Sequence, residues 1–329
     1  MRLLVIRYRY LGDTVLAIPF LRNLRTAFPA ATIDVLVEPR AGAVLAACPY
    51  IDELIPWHRQ PPKHATAQAS CTGFVGAARF LRARRYDRVY ILRRAISTVL
   101  LAALAGIPHR VGFRCQGSGL LLQRAVPYPE SKHEVECFLD LLRADGVPVI
   151  DTHNENWTTP AAEAAVEQTF PRDVARHVFV APVSTNAAKD WPLDRMAALV
   201  RWLINSRGCA VHFCGAPRDE AVHAEIVRLA GPLERAPMDW SRQLDLPGAL
   251  ALLRRMDAAI GIDTGQLHLA ASFQIPVVGL YGFQSPARWH PWDTRYVALR
   301  AHADSRGEFP MSTIALEEVC AAVDEVLAP

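Results

Sequence analysis

Polar residues able to bind an anion follow an apolar segment late in the chain, in the stretch DAAIGIDTGQLHLAASFQIPVVGLYG at residues 257–282. The pattern predicts a strand, a sharp turn at Asp263, Thr264 and Gly265, a short helix and a second strand. Such a β-α-β unit builds a parallel sheet, and ligands bind at its strand ends. The first backbone N–H groups of the helix would hold an anion there, such as a diphosphate. Considered alone, the turn is explained more simply as a helix cap with His268 packed beneath it.

Two more charged residues stand just beyond predicted strands. Asp13 follows Gly12 at the entrance to the first helix, and Lys189 is the lone lysine of the polar turn STNAAKDWP. The chain has no P-loop, G-x-G-x-x-G, G-x-S-x-G or H-E-x-x-H motif, and it lacks a D-x-D pair for holding a metal against a nucleotide diphosphate. Anion stabilisation is therefore expected from Lys189, backbone amides and helix ends, without a metal or another cofactor.

The composition is typical of a globular protein with more than one core. The chain has 329 residues, of which 51% are hydrophobic and 21% charged, and this length favours two domains. Its longest uncharged apolar stretch, residues 95–107, is too short to span a bilayer. The start, MRLLVIRYRY, predicts a buried strand rather than a signal peptide. We therefore expect a cytoplasmic protein, and we expect no nucleic acid among its partners.

The cysteines and the distribution of charge further narrow the kinds of protein that fit this sequence. Seven cysteines, an odd number without a C-x-x-C motif, predict buried thiols rather than disulfides or a zinc ribbon. Residues 1–160 carry 20 Lys and Arg against 13 Asp and Glu, whereas residues 161–329 carry 16 against 20. A basic first half and an acidic second half suggest two domains with different partners.

Both halves alternate short apolar strands with amphipathic helices, which predicts doubly wound α/β domains. The polar segment 151–171 is flanked by proline and contains the connection, so we assign the domains to residues 1–160 and 161–329. The last helix, residues 316–327, has an amphipathic pattern that would let it cross back onto the first domain. The other predicted strands span residues 3–7, 33–38, 53–57, 87–93, 110–113, 177–183 and 209–215, and the other predicted helices span residues 15–28, 193–205, 221–230 and 245–256.

The densest positive charge in the chain is the stretch from Arg79 to Arg94, with seven arginines and one acid, Asp87. A solvated helix face explains this stretch as well as a docking surface for an anionic acceptor or a membrane does. The preceding segment, residues 57–70, is polar and carries two prolines, which predicts a loop.

Three segments, in order, resemble the signatures of the ADP-heptose:lipopolysaccharide heptosyltransferase family, which is glycosyltransferase family 9 with the GT-B architecture. They are RYRYLGDTVLAIPFLRNLRTAFPAATIDVLV, STNAAKDWP and DTGQLHLAASFQIPVVGLYG. The resemblance implies two Rossmann-like parallel-sheet domains facing a cleft, the first binding the acceptor and the second binding the nucleotide-sugar donor. Gln266 and Ser272 depart from the small or aliphatic residues commoner in the family, and residues 301–310 lack the cysteine pair of some members. The particular sugar and acceptor therefore stay open.

The same resemblance implies the roles of individual residues. Asp13 matches the general base of the family, and Lys189 matches the lysine that contacts the donor phosphates or sugar. Displacing a nucleotide diphosphate from a sugar needs such a base and such a cation on opposite sides of the anomeric carbon. The residues matched to donor binding are Ser184, Thr185, Lys189, Asp263, Thr264, Gly265 and His268, with Asp219 and Glu220 as alternatives for the acidic residue that contacts the nucleoside.

The function implied is an inverting, metal-independent glycosyltransferase. Its donor would be a nucleotide-diphospho-sugar, above all ADP-heptose, and its acceptor an anionic lipid-linked saccharide such as a lipopolysaccharide core. Peripheral contact with the inner face of the cytoplasmic membrane is a further expectation. The alternatives are a nucleotide-sugar epimerase or hydrolase on the same fold, and a non-catalytic nucleotide-sugar binder, which would not need Asp13.

Overall fold

Two compact units make up the chain in this computed structural model, which describes residues 1–7, 9–60, 71–115 and 117–328. The first unit is Met1–His153 and the second is Asn154–Pro329. The boundary falls inside the polar segment 151–171 and precedes the expected division after residue 160. Most of the loop predicted at residues 57–70 lies outside the described residues, since these omit 61–70.

The first unit contains a six-stranded parallel sheet with the strand order β3-β2-β1-β4-β5-β6. The order reverses between β1 and β4, so side chains beyond these two strand ends are brought together. The strands are β1 (Arg2–Arg7), β2 (Thr32–Val37), β3 (Glu53–Pro56), β4 (Arg88–Ile91), β5 (His109–Phe113) and β6 (Arg124–Val126).

Helices cover the first sheet in the doubly wound manner. The helix pair α4 and α5 packs on the sheet through a core of aliphatic side chains that includes Leu4, Ile6 and Ile91. These crossover helices run antiparallel to the strands, so their last turns lie at the amino edge of the sheet. The helices are α1 (Leu11–Val15), α2 (Ile18–Ala27), α3 (Pro39–Gly42), α4 (Gly73–Arg84), α5 (Ile96–Leu104) and α6 (Glu134–Ala144).

The second unit repeats the plan with the strand order β12-β11-β10-β7-β8-β9, again all parallel. Here the order reverses between β7 and β10. The strands are β7 (His177–Ala181), β8 (Ala210–Phe213), β9 (Met238–Asp239), β10 (Ala258–Ile262), β11 (Val277–Tyr281) and β12 (Tyr296–Arg300). The helices are α7 (Pro160–Glu167), α8 (Leu193–Asn205), α9 (Glu220–Ala230), α10 (Leu246–Leu253), α11 (Gly265–Ala271), α12 (Pro286–Trp289) and α13 (Leu316–Leu327).

The last helix, α13, packs within the second unit. Its buried side chains, such as Val319 and Val323, join those of α8 and of the central strands in one apolar core. Contacts with α8, β11 and β12 place it on the face of the second sheet.

The helix predicted at residues 15–28 is wrong at its start. Helix begins at Leu11, is interrupted at Leu16 and Ala17, and resumes as α2. Pro19 explains the interruption, because a residue without an N–H group is tolerated only in the first turn of a helix. Asp13 therefore lies inside a short first helix rather than before a long one.

None of the helices in the described parts of the chain has the length and apolar character needed to cross a membrane.

Candidate active site

An ion pair lies at the point where the second sheet reverses its strand order. Lys189 follows β7 in a turn of 3₁₀ helix, and Asp263 follows β10. The Lys189 Nζ atom lies 2.9 Å from Asp263 Oδ2 and 3.2 Å from the Asp263 carbonyl oxygen. Both side chains are largely buried, with 18% and 8% of their side-chain surface exposed. Lys189 and Asp263 are 74 positions apart in sequence, and both were predicted to bind the donor. The structure brings them together.

Close approach of the two strands is what allows this arrangement. Gly261 of β10 is registered against Ala181 of β7. A Cβ atom on Gly261 would lie 2.2 Å from the carbonyl oxygen and 2.7 Å from the Cβ of Ala181. Only glycine fits this position without separating the strands that carry Lys189 and Asp263.

The turn at the start of α11 presents an unpaired hydroxyl group. Thr264 is the N-cap residue, but its side chain makes no capping hydrogen bond. Its Oγ1 atom is buried and has no hydrogen-bond partner among the described residues. A buried hydroxyl without a partner costs free energy, which a ligand oxygen would recover. The sequence alone favoured a simple helix cap at this turn. The structure does not contain such a cap at Thr264.

Gly265 begins α11, and His268 lies buried one turn further along the same helix. The backbone N–H groups of the first helical turn have no acceptor within the helix, so they point out of the carboxyl edge beside Thr264. His268 is 5% exposed, so its ring is limited to contacts beneath the turn.

The turn that carries Lys189 is ordered by its own polar groups. The Ser184 hydroxyl group donates to the Asn186 carbonyl oxygen at 2.7 Å and accepts from the Asn186 N–H group at 2.9 Å. Asp190 accepts a hydrogen bond from the Ser184 N–H group at 3.2 Å. Ser184 therefore shapes the turn, whereas Thr185 is exposed to solvent.

The two alternatives for the nucleoside contact are held differently. Asp219 folds back beneath Gly215 at the end of β8, where its Oδ2 accepts from the Ala216 N–H group at 2.7 Å. Glu220 is half exposed and pairs with Arg242 on the surface. Asp219 is thus nearer to the strand end, and the assignment between the two stays a prediction.

A small hollow surrounds the ion pair. Phe283 and Gln284 follow β11 after Gly282, and Phe283 is 50% exposed. The hollow is lined by Lys189, Asp263, Leu280, Gly282, Phe283 and Gln284. The sequence-based prediction missed Phe283 and Gln284, although their position just after a buried strand could have identified them.

A second polar cluster lies at the ends of β8 and β9, and the sequence-based prediction also missed it. His223 Nδ1 lies 2.8 Å from Asp239 Oδ2, while the Ser241 hydroxyl group donates to Asp239 Oδ1 at 2.6 Å. Burial alone would raise the pKa of Asp239, but hydrogen bonds from Ser241 and then from His223 outweigh it and lower the pKa. Asp239 is therefore a carboxylate at the carboxyl edge of the sheet. Nearby, burial raises the pKa of the Cys214 thiol to about 12, which keeps the thiol protonated.

Asp13 occupies the corresponding edge of the first sheet. It is the third residue of α1, and its Oδ2 accepts from the Tyr10 N–H group at 2.7 Å. The same oxygen pairs with the guanidinium group of Arg7, the last residue of β1, whose side chain is 6% exposed. The other oxygen, Oδ1, has no hydrogen-bond partner within residues 1–7, 9–60, 71–115 and 117–328. Asp13 therefore combines a helix-capping role with one oxygen available to a substrate.

The basic stretch from Arg79 to Arg94 does not form one patch. Arg84 pairs with Glu53 and Asp34, and Arg88 pairs with Asp145, all at the amino edge of the first sheet. Arg93 and Arg94 follow β4 and lie at the opposite edge, where Asp13 also lies. A single docking surface made of all seven arginines is thus excluded by the topology.

No three potential metal ligands among His, Cys, Asp and Glu come together in the described parts of the chain. Metal independence stays a prediction, to be decided by chelation.

Comparison with known proteins places the chain among sugar-transferring enzymes. Residues 76–317 match the profile of glycosyltransferase family 9 (heptosyltransferase). Lipopolysaccharide heptosyltransferase 2 of Salmonella typhimurium is 26% identical over 305 residues, which cover 87% of this chain and 84% of that protein. Lipooligosaccharide heptosyltransferase 2 of Haemophilus influenzae is 25% identical over 315 residues, covering 91% and 88%.

Solved structures show the same fold. The glycosyl transferase family 9 protein from Veillonella parvula superimposes with a TM-score of 0.85 at 21% identity, covering 99% of this chain and 97% of that one. ADP-heptose lps heptosyltransferase II of E. coli gives a TM-score of 0.80 at 23% identity, covering 99% and 98%. The prediction of two Rossmann-like parallel-sheet domains of the GT-B kind is confirmed.

Proposed function

The chain belongs to glycosyltransferase family 9, the heptosyltransferases, and on this basis we propose that it transfers heptose from ADP-heptose to a lipopolysaccharide core or a related lipid-linked saccharide. The anomeric centre is inverted in the proposed reaction. The observation that carries the proposal is the buried Lys189 and Asp263 pair between the ends of β7 and β10, beside the unpaired hydroxyl group of Thr264. Doubly wound sheets bind nucleotides at such a reversal of strand order.

On the donor side, Lys189 supports departure of the nucleotide diphosphate. As the bond between the anomeric carbon and the phosphate oxygen breaks, negative charge grows on that oxygen. A nearby ammonium group, the Thr264 hydroxyl group and the N–H groups at the start of α11 stabilise this charge. Asp263 keeps Lys189 in place through two hydrogen bonds, from Nζ to its carboxylate and to its carbonyl oxygen. Its role in this scheme is positioning, since its own charge would repel a diphosphate.

On the acceptor side, Asp13 takes the proton of the attacking hydroxyl group. Its Oδ1 atom is the acceptor, while Oδ2 stays bound to Arg7 and to the Tyr10 N–H group. The new bond forms between the acceptor oxygen and the anomeric carbon on the face opposite the leaving phosphate, which inverts the configuration. The phosphate leaves with the electron pair of the broken bond, and the proton ends on Asp13.

The acceptor in this proposal is lipid-linked, as the names of the relatives suggest for them, and it is anionic. The first unit would bind it, because that half of the chain carries the positive charge. The enzyme would act in the cytoplasm and meet its acceptor at the inner face of the membrane.

A donor panel measured with and without acceptor tests the proposal. ADP-heptose, ADP-glucose and UDP-glucose are each incubated with truncated lipopolysaccharide cores, and nucleotide release and product mass are followed. We expect ADP release only when ADP-heptose and a core are both present. EDTA should leave the rate largely unchanged, and a loss restored by magnesium or manganese would contradict the metal-free scheme.

The other outcomes identify the alternatives. ADP release without an acceptor would indicate a hydrolase, and a changed sugar without transfer would indicate an epimerase. Tight donor binding with neither product would indicate a binding protein.

A further inference from the structure

Three leucine side chains stand exposed on the face of the first unit that carries α4 and α5. Leu100 and Leu104 are one turn apart on α5 and are 39% and 57% exposed. Leu120, in the 3₁₀ turn Ser118–Leu121 that packs against α5, is 97% exposed. A leucine that keeps nearly its whole surface in water contributes nothing to the fold. Three of them on adjacent elements form an apolar surface that needs another explanation.

The same face carries exposed arginines on α4. Arg79 and Arg82 lie on the exposed side of α4, spaced by three residues, and no carboxylate of the described residues pairs with either of them. Arg79 and Arg82 therefore do not take part in ion pairs with these carboxylates, whereas Arg84 and Arg88 do.

The arginines and leucines are neighbours in space. A Cβ atom on Gly106, two residues beyond Leu104, would lie 3.8 Å from Nε of Arg82. Arg110 donates to the Leu121 carbonyl oxygen at 2.6 Å and also to the Ile107 carbonyl oxygen, which ties the 3₁₀ turn to the end of α5. Arg82 therefore lies beside the end of α5, and Arg79 lies one turn earlier on the exposed side of α4. The exposed residues Arg79, Arg82, Leu100, Leu104 and Leu120 are here called the leucine–arginine surface.

We propose that the leucine–arginine surface docks the enzyme on an anionic lipid bilayer. Exposed leucines enter the boundary between headgroups and acyl chains, and the surrounding arginines attract acidic headgroups. The inference rests on the proposed function only in that a lipid-linked acceptor makes such docking useful. A second copy of the chain fits this surface poorly, because contact between two copies would oppose like charges without an acidic partner.

Vesicle sedimentation of the full chain tests the docking surface. The protein is mixed with phosphatidylcholine vesicles containing phosphatidylglycerol, or with pure phosphatidylcholine vesicles, at low and high salt. We expect binding to the acidic vesicles that weakens at high salt. Leu104→Ser and Leu120→Ser should each lower the partition coefficient by about tenfold, and Arg79→Gln and Arg82→Gln by about fivefold each with a flatter salt dependence.

Leu229→Ser is the matched control, since Leu229 lies on α9 of the second unit and is also 39% exposed. Unchanged vesicle binding in this variant supports the assignment. The proposal is overturned if the protein ignores acidic vesicles or if Leu229→Ser weakens binding as much as Leu120→Ser. It is also overturned if the protein is a dimer in solution that Leu120→Ser converts to a monomer.

Transfer to a delipidated core saccharide separates this proposal from the proposed function. The leucine and arginine variants should keep the parent rate with this soluble acceptor. Parent-level transfer together with absent vesicle binding would refute the docking surface alone, whereas vesicle binding without transfer would refute only the proposed activity.

Discussion

Lys189 Nζ lies 2.9 Å from Oδ2 of Asp263, and this pair joins the ends of β7 and β10 across the reversal of strand order. The carboxylate holds the ammonium group at the strand ends before a ligand arrives. Little side-chain entropy is then left to lose when a diphosphate binds, because the lysine is already ordered. Lys189 is therefore a preorganised cation, and its pair with Asp263 differs in this respect from a surface salt bridge.

Lys189→Ala is expected to weaken ADP binding by about 10- to 150-fold, because it removes a charge-assisted hydrogen bond of about 1.5–3 kcal/mol. Titration calorimetry with ADP measures this directly. Arg207→Ala is the matched control, since Arg207 pairs with Asp324 at 2.7 Å on the exposed surface of the same unit. Equal ADP affinity in Lys189→Ala and the parent protein would show that Lys189 is not a donor ligand.

Much of the second unit was predictable, because its signals are local. The helices α8 and α13 begin and end where periodicity placed them, and β10 and β11 are the two strands predicted within residues 257–282. The site residues Lys189 and Asp263 follow strands that each read as an uninterrupted apolar run, and strand ends are where doubly wound sheets place ligands.

The features that sequence reasoning missed depend on contacts between distant segments. Arg7 reads as the end of a strand, and nothing nearby shows that it is buried against Asp13. The 3₁₀ turn that contains Leu120 was not predicted, and nothing local in the sequence shows that this leucine is 97% exposed. The short strands β6 and β9 lack any periodic pattern, because two or three residues are too few to show one.

Gly261→Ala is expected to destabilise the second unit strongly. Its new methyl group would lie 2.2 Å from the Ala181 carbonyl oxygen, so β7 and β10 must separate, at a cost of about 3 kcal/mol or more. Gly76→Ala is the control, because Gly76 lies inside α4 and a Cβ there meets no atom within 4 Å. This second change should stabilise by about 0.5–1 kcal/mol. Urea unfolding measures both, and a Gly261→Ala protein as stable as the parent would contradict the close approach.

Two buried histidines predict a loss of stability in acid. His212 is fully buried, its Nδ1 accepts from the Trp240 indole N–H group at 3.1 Å, and its Nε2 lies 3.1 Å from His177 Nδ1. Burial, with a smaller contribution from His177, lowers the pKa of His212 to about 3. The unfolded chain takes up this proton near pH 6.5, whereas the folded chain does so only near pH 3. Folding stability is therefore complete above pH 6.5 and falls as the pH drops from 6.5 towards 3.

The free energy of unfolding at pH 7.5 and pH 5.0 tests this expectation. His212 alone should lower it by about 2 kcal/mol over that interval, since each pH unit below 6.5 costs about 1.4 kcal/mol. His212→Asn should remove most of this pH dependence, while His302→Asn, at an exposed position, should leave it unchanged. An equal pH dependence in the parent and in His212→Asn would show that His212 does not stay neutral in the folded protein.

Asp13→Asn tests the base, but the structure shows that the substitution also affects folding. The new amide oxygen can still accept from the Tyr10 N–H group, yet it carries no charge to compensate the buried Arg7. We expect a loss of stability of about 1–3 kcal/mol. If Asp13 takes the proton, kcat should fall by about 10²–10⁴ at temperatures where the variant is fully folded, with ADP affinity unchanged.

Arg7→Met separates the two roles of Asp13. It breaks the same ion pair but leaves the carboxylate, so it should lose comparable stability while keeping most of the turnover. If Asp13 has only a structural role, the opposite pattern is expected. The Arg7→Met and Asp13→Asn proteins would then lose activity together and recover it together when the temperature is lowered. The comparison of kcat at matched folded fraction decides between them, because a missing base cannot be restored by stabilising the fold.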